Sequence, residues 1–284
     1  AALGQRDDDE TQQELARLQR DVLLCDVDRL LVIKRHEIAA SHVYTYHYEG
    51  QRDGGGLCVV SLRDPVAEPV EIVASPKGQI LDADLSYDGK TVLFSWRQGM
   101  GQGYHVWSVG VDGSGLKQLT DGPYDDLMPC YLPDGGIAFM STRRKGYARC
   151  FGGQFSTRWD VYTLHRMNGD GSNIRTLSFH DTNEWFPTVS NTGHILYARW
   201  DYIDRDAVTH QNLWASRPDG TNPVALWGNA TAAPHCTFQL QPIPDSTKII
   251  FAASAHHSIA GGPVTIVDPS IAADGEAALE RITP

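Results

Sequence analysis

The sequence predicts an all-β chain: a β-propeller of four-stranded antiparallel blades behind a short N-terminal helix. Three observations carry this. A polar hairpin is written three times, as VDGSGLKQLTDG (111–122), NGDGSNIRTLS (168–178) and RPDGTNPVALW (217–227). Runs of strand-forming residues return at a regular spacing after similar turns. A helical pattern occurs once, at the start.

Taken in chain order, residues 1–28 read as a lead segment and helix. Thr11-x-x-Glu14 is a capping-box pattern, and Leu15, Leu18 and Val22 follow at helical spacing. That helix is expected to pack on the outside of the propeller or on a neighbour. Residues 29–284 read as the propeller domain. RLLVIKR (29–35) and GGGLCVVSL (54–62) form a first unit without its opening turn.

Each later unit opens on YDGK (87–90), PDGG (133–136), NTGH (191–194) or PDSTK (244–248), at spacings of 46, 58 and 53 residues. A strand follows each turn: TVLFSW (91–96), GIAFMS (136–141), HILYARW (194–200) and KIIFAAS (248–254). A variable polar stretch leads to a second strand: YHVWSV (104–109), WDVYTL (159–164), QNLWAS (211–216) and PVTIVD (263–268). The repeated hairpin then joins the outer two strands of a unit. Such a unit cannot bury both faces alone, so copies must stack. Radial stacking leaves only short protected edges. Five units are visible, one of them degenerate.

Composition narrows the function. Twenty-four Lys and Arg against 35 Asp and Glu give a net charge of −11, which repels phosphate backbones, so no nucleic-acid partner is expected. The most apolar stretch, near residues 22–33, is broken by Asp26, Asp28 and Arg29, so no membrane insertion is expected. The five cysteines, Cys25, Cys58, Cys130, Cys150 and Cys236, form no C-x-x-C and no C-x-x-C-H. Neither a zinc knuckle nor a covalent c-type haem is therefore written here. Burial as small apolar side chains is the expectation for each cysteine. G-x-S-x-G is absent, and GMGQGYH (99–105) has no helix behind it to cradle phosphate. The chain starts without methionine and LERITP stops where a repeat would hand on, so it reads as part of a longer protein.

The units resemble the WD-type blades of TolB-like propellers. VYTLHRMNGDGSNIRTLSFHDTNEWFPTVSNTGHILYARWDYIDRDA (161–207) is similar to the middle-domain propeller of the hydrazine synthase alpha subunit, found also in large planctomycete-type proteins. LLVIKRH (30–36), SHVYTYHYEG (41–50), GGGLCVVS (54–61), IPDSTKIIFAASAHHS (243–258) and VDPS (267–270) fit the same pattern. The resemblance implies a six-bladed propeller in an exported, periplasmic or extracellular, multidomain bacterial protein. In that family the chemistry belongs to c-type haems in flanking domains. This chain has no haem attachment motif, so the reaction does not carry over.

Two constellations invite chemistry. His256 and His257 leave a strand together, while His42 and His47 flank YTY in the first unit and His235 precedes Cys236. If loops of different blades converge, these imidazoles would hold a divalent metal, although hydrogen bonding to loops is the commoner use of such residues. YARWDYIDRDA (197–207) offers Arg199, Asp201 and Asp204 as a polar rim for a sugar or an ion, and Arg143 ends a strand of the previous unit. Arg97 and Arg143 at strand ends also fit a repeated inter-blade contact, and tying blades together is the favoured role for the whole set. The expected function is a non-catalytic scaffold and interaction module without a cofactor, bound to other domains or subunits. The alternative is a metal-dependent propeller enzyme of the uronate-lyase kind with a histidine site in its central funnel.

Overall fold

The computed structural model of the chain describes residues 11–15, 17–18, 27–40, 42–43, 52–64, 66–147, 160–202, 208–258 and 261–284. Among them, five antiparallel units follow one another. The first has three strands, β1 (Arg29–Arg35), β2 (Gly55–Ser61) and β3 (Val70–Ala74). The second runs β4 (Gln79–Leu85), β5 (Thr91–Arg97), β6 (His105–Gly110) and β7 (Lys117–Gln118). The third is β8 (Asp126–Tyr131), β9 (Ile137–Tyr147), β10 (Asp160–Met167) and β11 (Arg175–Thr176). The fourth is β12 (Glu184–Val189), β13 (Ile195–Trp200), β14 (Gln211–Ser216) and β15 (Val224–Trp227). The fifth is β16 (Cys236–Pro242), β17 (Ile249–Ser254), β18 (Val264–Val267) and β19 (Leu279–Arg281). These are the five units that the repeats announce, and among the described residues the first shows three strands. A single parallel bridge, Gln211 to Cys236, ties the fourth unit to the fifth.

The second strand of a unit is buried on both faces because neighbours stack on each side. In β5 every residue after Thr91 is buried, and β13 is buried except at Arg199. Trp185, Trp227, Tyr162, Tyr197 and Phe238 are completely enclosed in one core to which all five units contribute. Burying one such side chain contributes about 1.5–3 kcal/mol.

The repeated hairpin joins β6 to β7, β10 to β11 and β14 to β15, as its sequence predicts. Its aspartate caps the turn: Asp112, Asp170 and Asp219 each accept the backbone N–H two residues on, at 2.9–3.0 Å. Asp268 does the same for Ser270 in the fifth unit. Its glycine touches the preceding unit. A Cβ on Gly171 (φ +92°) would stand 2.6 Å from Leu119 O, and one on Gly220 (φ +85°) 2.6 Å from Leu177 O. The motif therefore closes a hairpin and a seam between units together.

The innermost strands carry a feature the repeats do not announce. Each of β4, β8, β12 and β16 has a bulge at the same place, after Ile80, Leu127, Trp185 and Phe238. Met128, Phe186 and Gln239 occupy the left-handed region there, at φ 52°, 52° and 55°. Pro129 and Pro187 follow them, acceptable because a bulge has no ladder bond to lose. Bulges re-aim side chains, and the residues that follow these four, Leu81, Met128, Phe186 and Gln239, line one cavity.

At the N-terminus residues 11–15 and 17–18 are helical, with Leu15 and Leu18 still 54% and 52% exposed. The described residues are helical where the pattern predicts it, and Val22, the third residue of the apolar stripe, lies outside the described residues. Cys58, Cys130 and Cys236 are free and buried, and Cys25 and Cys150 lie outside the described residues.

Candidate functional site

Antiparallel topology sorts the connections onto two ends of the assembly. The tight Asp-Gly turns share one end, and the long loops that follow β1, β5, β9, β13 and β17 share the other. The candidates named from sequence that fall among the described residues belong to this loop end.

Arg143 is consumed by structure. Its Nε and Nη2 donate to the two oxygens of Asp126 at 3.0 and 2.8 Å, and Nη2 also reaches Asp121 O at 2.6 Å. Ser141 Oγ donates to the same carboxylate at 2.6 Å, and His105 Nδ1 of the preceding unit lies 3.5 Å from it. Burial pushes the Asp126 pKa up, but the His105 imidazole, the Arg143 fork and the Ser141 hydroxyl together hold it below its ordinary value. Its guanidinium also stacks 4.6 Å over the Tyr124 ring.

Arg97 and Arg199 stand at equivalent places, paired in register with Gln79 and Glu184. Arg97 is 4% exposed and lies 3.6 Å from Asp53 of the first unit. Arg199 stacks 4.2 Å over Trp214. Glu184 accepts from Leu164 N at 2.9 Å and Ser178 Oγ at 2.8 Å, crossing the seam to the third unit. Arg143 sits two residues beyond the equivalent Ser141 but reaches back to the same seam. Asp201 is half-buried, and its backbone N–H donates to His210 O at 2.8 Å. Asp204 lies outside the described residues.

The imidazoles converge more than sequence alone required. His42 from the first unit and His256 and His257 from the fifth form a cluster, with ring centroids 4.6, 4.9 and 5.8 Å apart. Val43 N donates to His256 O at 3.2 Å, so this cluster is where the first and fifth units meet. His256 stacks 5.3 Å from Trp200, and its backbone N–H donates to His235 Nδ1 at 3.3 Å. Gln211 Nε2 donates to both Val208 O (3.0 Å) and His256 Nδ1 (2.8 Å). Because Val208 O only accepts, the amide orientation is fixed and the His256 proton sits on Nε2. His47 lies outside the described residues. Among the described residues, no three His, Cys, Asp or Glu side chains are placed to hold a metal ion.

The axis carries a second site. A cavity of about 370 Å³ is lined by residues from all five units, among them Arg35, Asp82, Asp84, Met128, Phe186 and Gln239. Asp82 Oδ1 accepts from Met128 N at 3.1 Å and from Ser95 Oγ. Its Oδ2 is enclosed and has no hydrogen-bond partner. Burial raises the Asp82 pKa to about 6; the Ser95 and Met128 donors and the Arg35 charge offset only part of that. Arg35 itself spends Nη1 on Leu81 O. Asp84 is raised too, by burial, although Tyr131 N donates to it at 2.8 Å.

Sequence reasoning missed this pair, and a signal was present. Aligned on the bulge, Asp82 stands where the later units have Pro129, Pro187 and Leu240, and Asp84 where they have Tyr131, Val189 and Pro242. Two carboxylates in the innermost strand of one unit alone are a departure from the repeat.

No family model matches the sequence, and no curated protein matches it. Solved structures do. Hydrazine synthase of Kuenenia stuttgartiensis superposes over 91% of this chain and 39% of its own, with a TM-score of 0.72 and 17% identity. TolB of Acinetobacter baumannii matches over 90% of this chain and 53% of its own, at TM-score 0.60 and 11% identity. An oligogalacturonate lyase solved with manganese covers 83% of this chain and 66% of its own, at TM-score 0.51 and 12% identity. The chain has the TolB-like β-propeller fold of the kind present in hydrazine synthase, and it spans well under two thirds of either of the first two structures. No helix among the described residues is long and apolar enough to cross a membrane.

Proposed function

We propose that the chain is a non-catalytic propeller module of an exported multidomain protein, a rigid scaffold that binds another domain or subunit. The observation that carries this reading is on β1. Leu30 and Val32 share one face of that strand and remain 44% and 36% exposed, an apolar surface of the kind that protein partners cover. The match to only part of each longer relative supports a modular role, and the internal bonding of Arg143 supports reading the loop-end arginines as braces. The test uses the full-length exported protein with Leu30→Lys and Val32→Lys. Loss of a native cross-linked partner, with circular dichroism unchanged, supports the scaffold. Cross-links that survive the substitutions, or turnover by the isolated wild-type chain, overturn it.

A second reading is favoured by one observation, the meeting of His42, His256 and His257. In this reading the cluster holds a divalent metal for sugar-acid cleavage, which requires the Gln211 bond to His256 to rearrange so that a ring nitrogen is freed. Elemental analysis of the purified protein separates the two. A stoichiometric metal lost in His256→Ala/His257→Ala supports the enzyme, and its absence supports the scaffold.

A further inference from the structure

We propose that the axial cavity binds a small organic cation, a primary ammonium on an apolar body. The inference is independent of whether the loop end is catalytic. It starts from an imbalance: Asp82 has one oxygen satisfied twice and the other not at all, inside a cavity large enough for a ligand. A buried acceptor without a donor is costly, and such exceptions in a folded protein call for a missing partner. Arg35 is a cationic side chain of the lining whose charge acts on Asp82, yet its Nη1 is committed to Leu81 O. Asp84, two residues on, lines the same cavity and accepts from the backbone N–H of Tyr131 at 2.8 Å. Two carboxylates against one guanidinium leave the cavity one negative charge in excess.

The remaining wall selects what kind of cation fits. Ile33, Ile38, Met128 and Phe186 also line the cavity, beside the polar Gln239 and Gln241. A metal ion would gain nothing from the apolar part of that wall. An alkyl or aryl ammonium uses both halves: three N–H donors for the aspartates and a hydrocarbon body for the apolar side. The chain's net charge of −11 draws cations toward it.

The experiment titrates the full chain with n-butylammonium and benzylammonium chlorides, with 1-pentanol as the neutral control, followed by ligand-observed NMR. Expected are saturable binding of the amines at pH 7.5, none of the alcohol, and about tenfold weaker binding in Asp82→Asn. Asp84→Asn, read beside it, keeps the test valid should one variant misfold by circular dichroism. Lowering the pH through about 6 should release the amine, because Asp82 then gains a proton while the amine stays charged. No saturable amine binding, equal binding of pentanol, unchanged binding in both variants, or displacement of the amine by equimolar calcium would each overturn the proposal.

Discussion

Asp126 and Asp82 lie on neighbouring innermost strands, and burial pushes up the pKa of each, yet their surroundings are opposite. At the seam, Asp126 meets an arginine fork, a serine hydroxyl and a histidine, and is held below its ordinary pKa. At the axis, Asp82 keeps an oxygen without a donor and rises to about 6. Burial is common to both, so burial does not decide the outcome. The partners do. At the seam the Asp126 carboxylate is answered on both oxygens, whereas at the axis Asp82 Oδ2 is not, a difference that fits a role other than stability.

The largest effect should come from breaking the seam. Arg143→Ala strands the Asp126 carboxylate, a loss of about 3–5 kcal/mol for a buried pair deprived of one partner. Urea unfolding measures it, and a loss under about 1 kcal/mol would mean the fork is ornamental.

A second test uses acid. His180 is held at the seam by Trp200 O (2.7 Å) and Thr182. Burial, then the Arg199 charge, lowers its pKa from 6.5 to about 4. A histidine whose folded pKa is depressed takes up its proton more readily when unfolded. Stability is thus intact above pH 6.5 and falls as the pH drops toward about 4, by roughly 2–3 kcal/mol. His180→Gln should flatten that part of the pH–stability curve. An unchanged slope would assign the acid sensitivity elsewhere.

The smallest predicted difference separates two glycines in similar turns. Gly171 has φ +92° and a carbonyl 2.6 Å from where a Cβ would sit, whereas Gly135 has φ +82° and nothing within 4 Å. Gly135→Ala meets only the left-handed backbone penalty, about 1–2 kcal/mol. Gly171→Ala adds the clash with the preceding unit, and should cost about 1 kcal/mol more. Equal thermal unfolding of the two variants would remove the seam role assigned to the hairpin.

The seams were largely legible in the sequence and the axis was not. VDGSG and its copies encode both the Asp cap and the close glycine, because a turn needs particular residue types at fixed offsets. Arg97 and Arg143 could be placed at strand ends, but not matched to Asp53 and Asp126, since cross-strand register depends on a bulge that propensity does not mark. The gathering of His42 with His256 and His257 joins opposite ends of the chain, which no local pattern encodes. Asp82 and Asp84 looked like ordinary polar residues of an alternating strand. Only the register, which sets Asp82 against two prolines and a leucine, makes them exceptional.

The most direct measurement is the unfolding free energy of Asp126→Asn and Asp82→Asn side by side, at pH 7.5 and at pH 4. Asp126→Asn weakens the charged fork and should lose stability at pH 7.5. Asp82 has a raised pKa, so its charge is a burden above pH 6 that is relieved as the pH falls toward its unfolded value of 3.8. Asp82→Asn should therefore gain up to about 2–3 kcal/mol at pH 7.5, and that gain should be nearly gone at pH 4. Opposite signs at pH 7.5 are the result predicted for a structural seam and a functional axis. Equal losses in both variants would show that Asp82 is one more brace, and would contradict the distinction between the two regions.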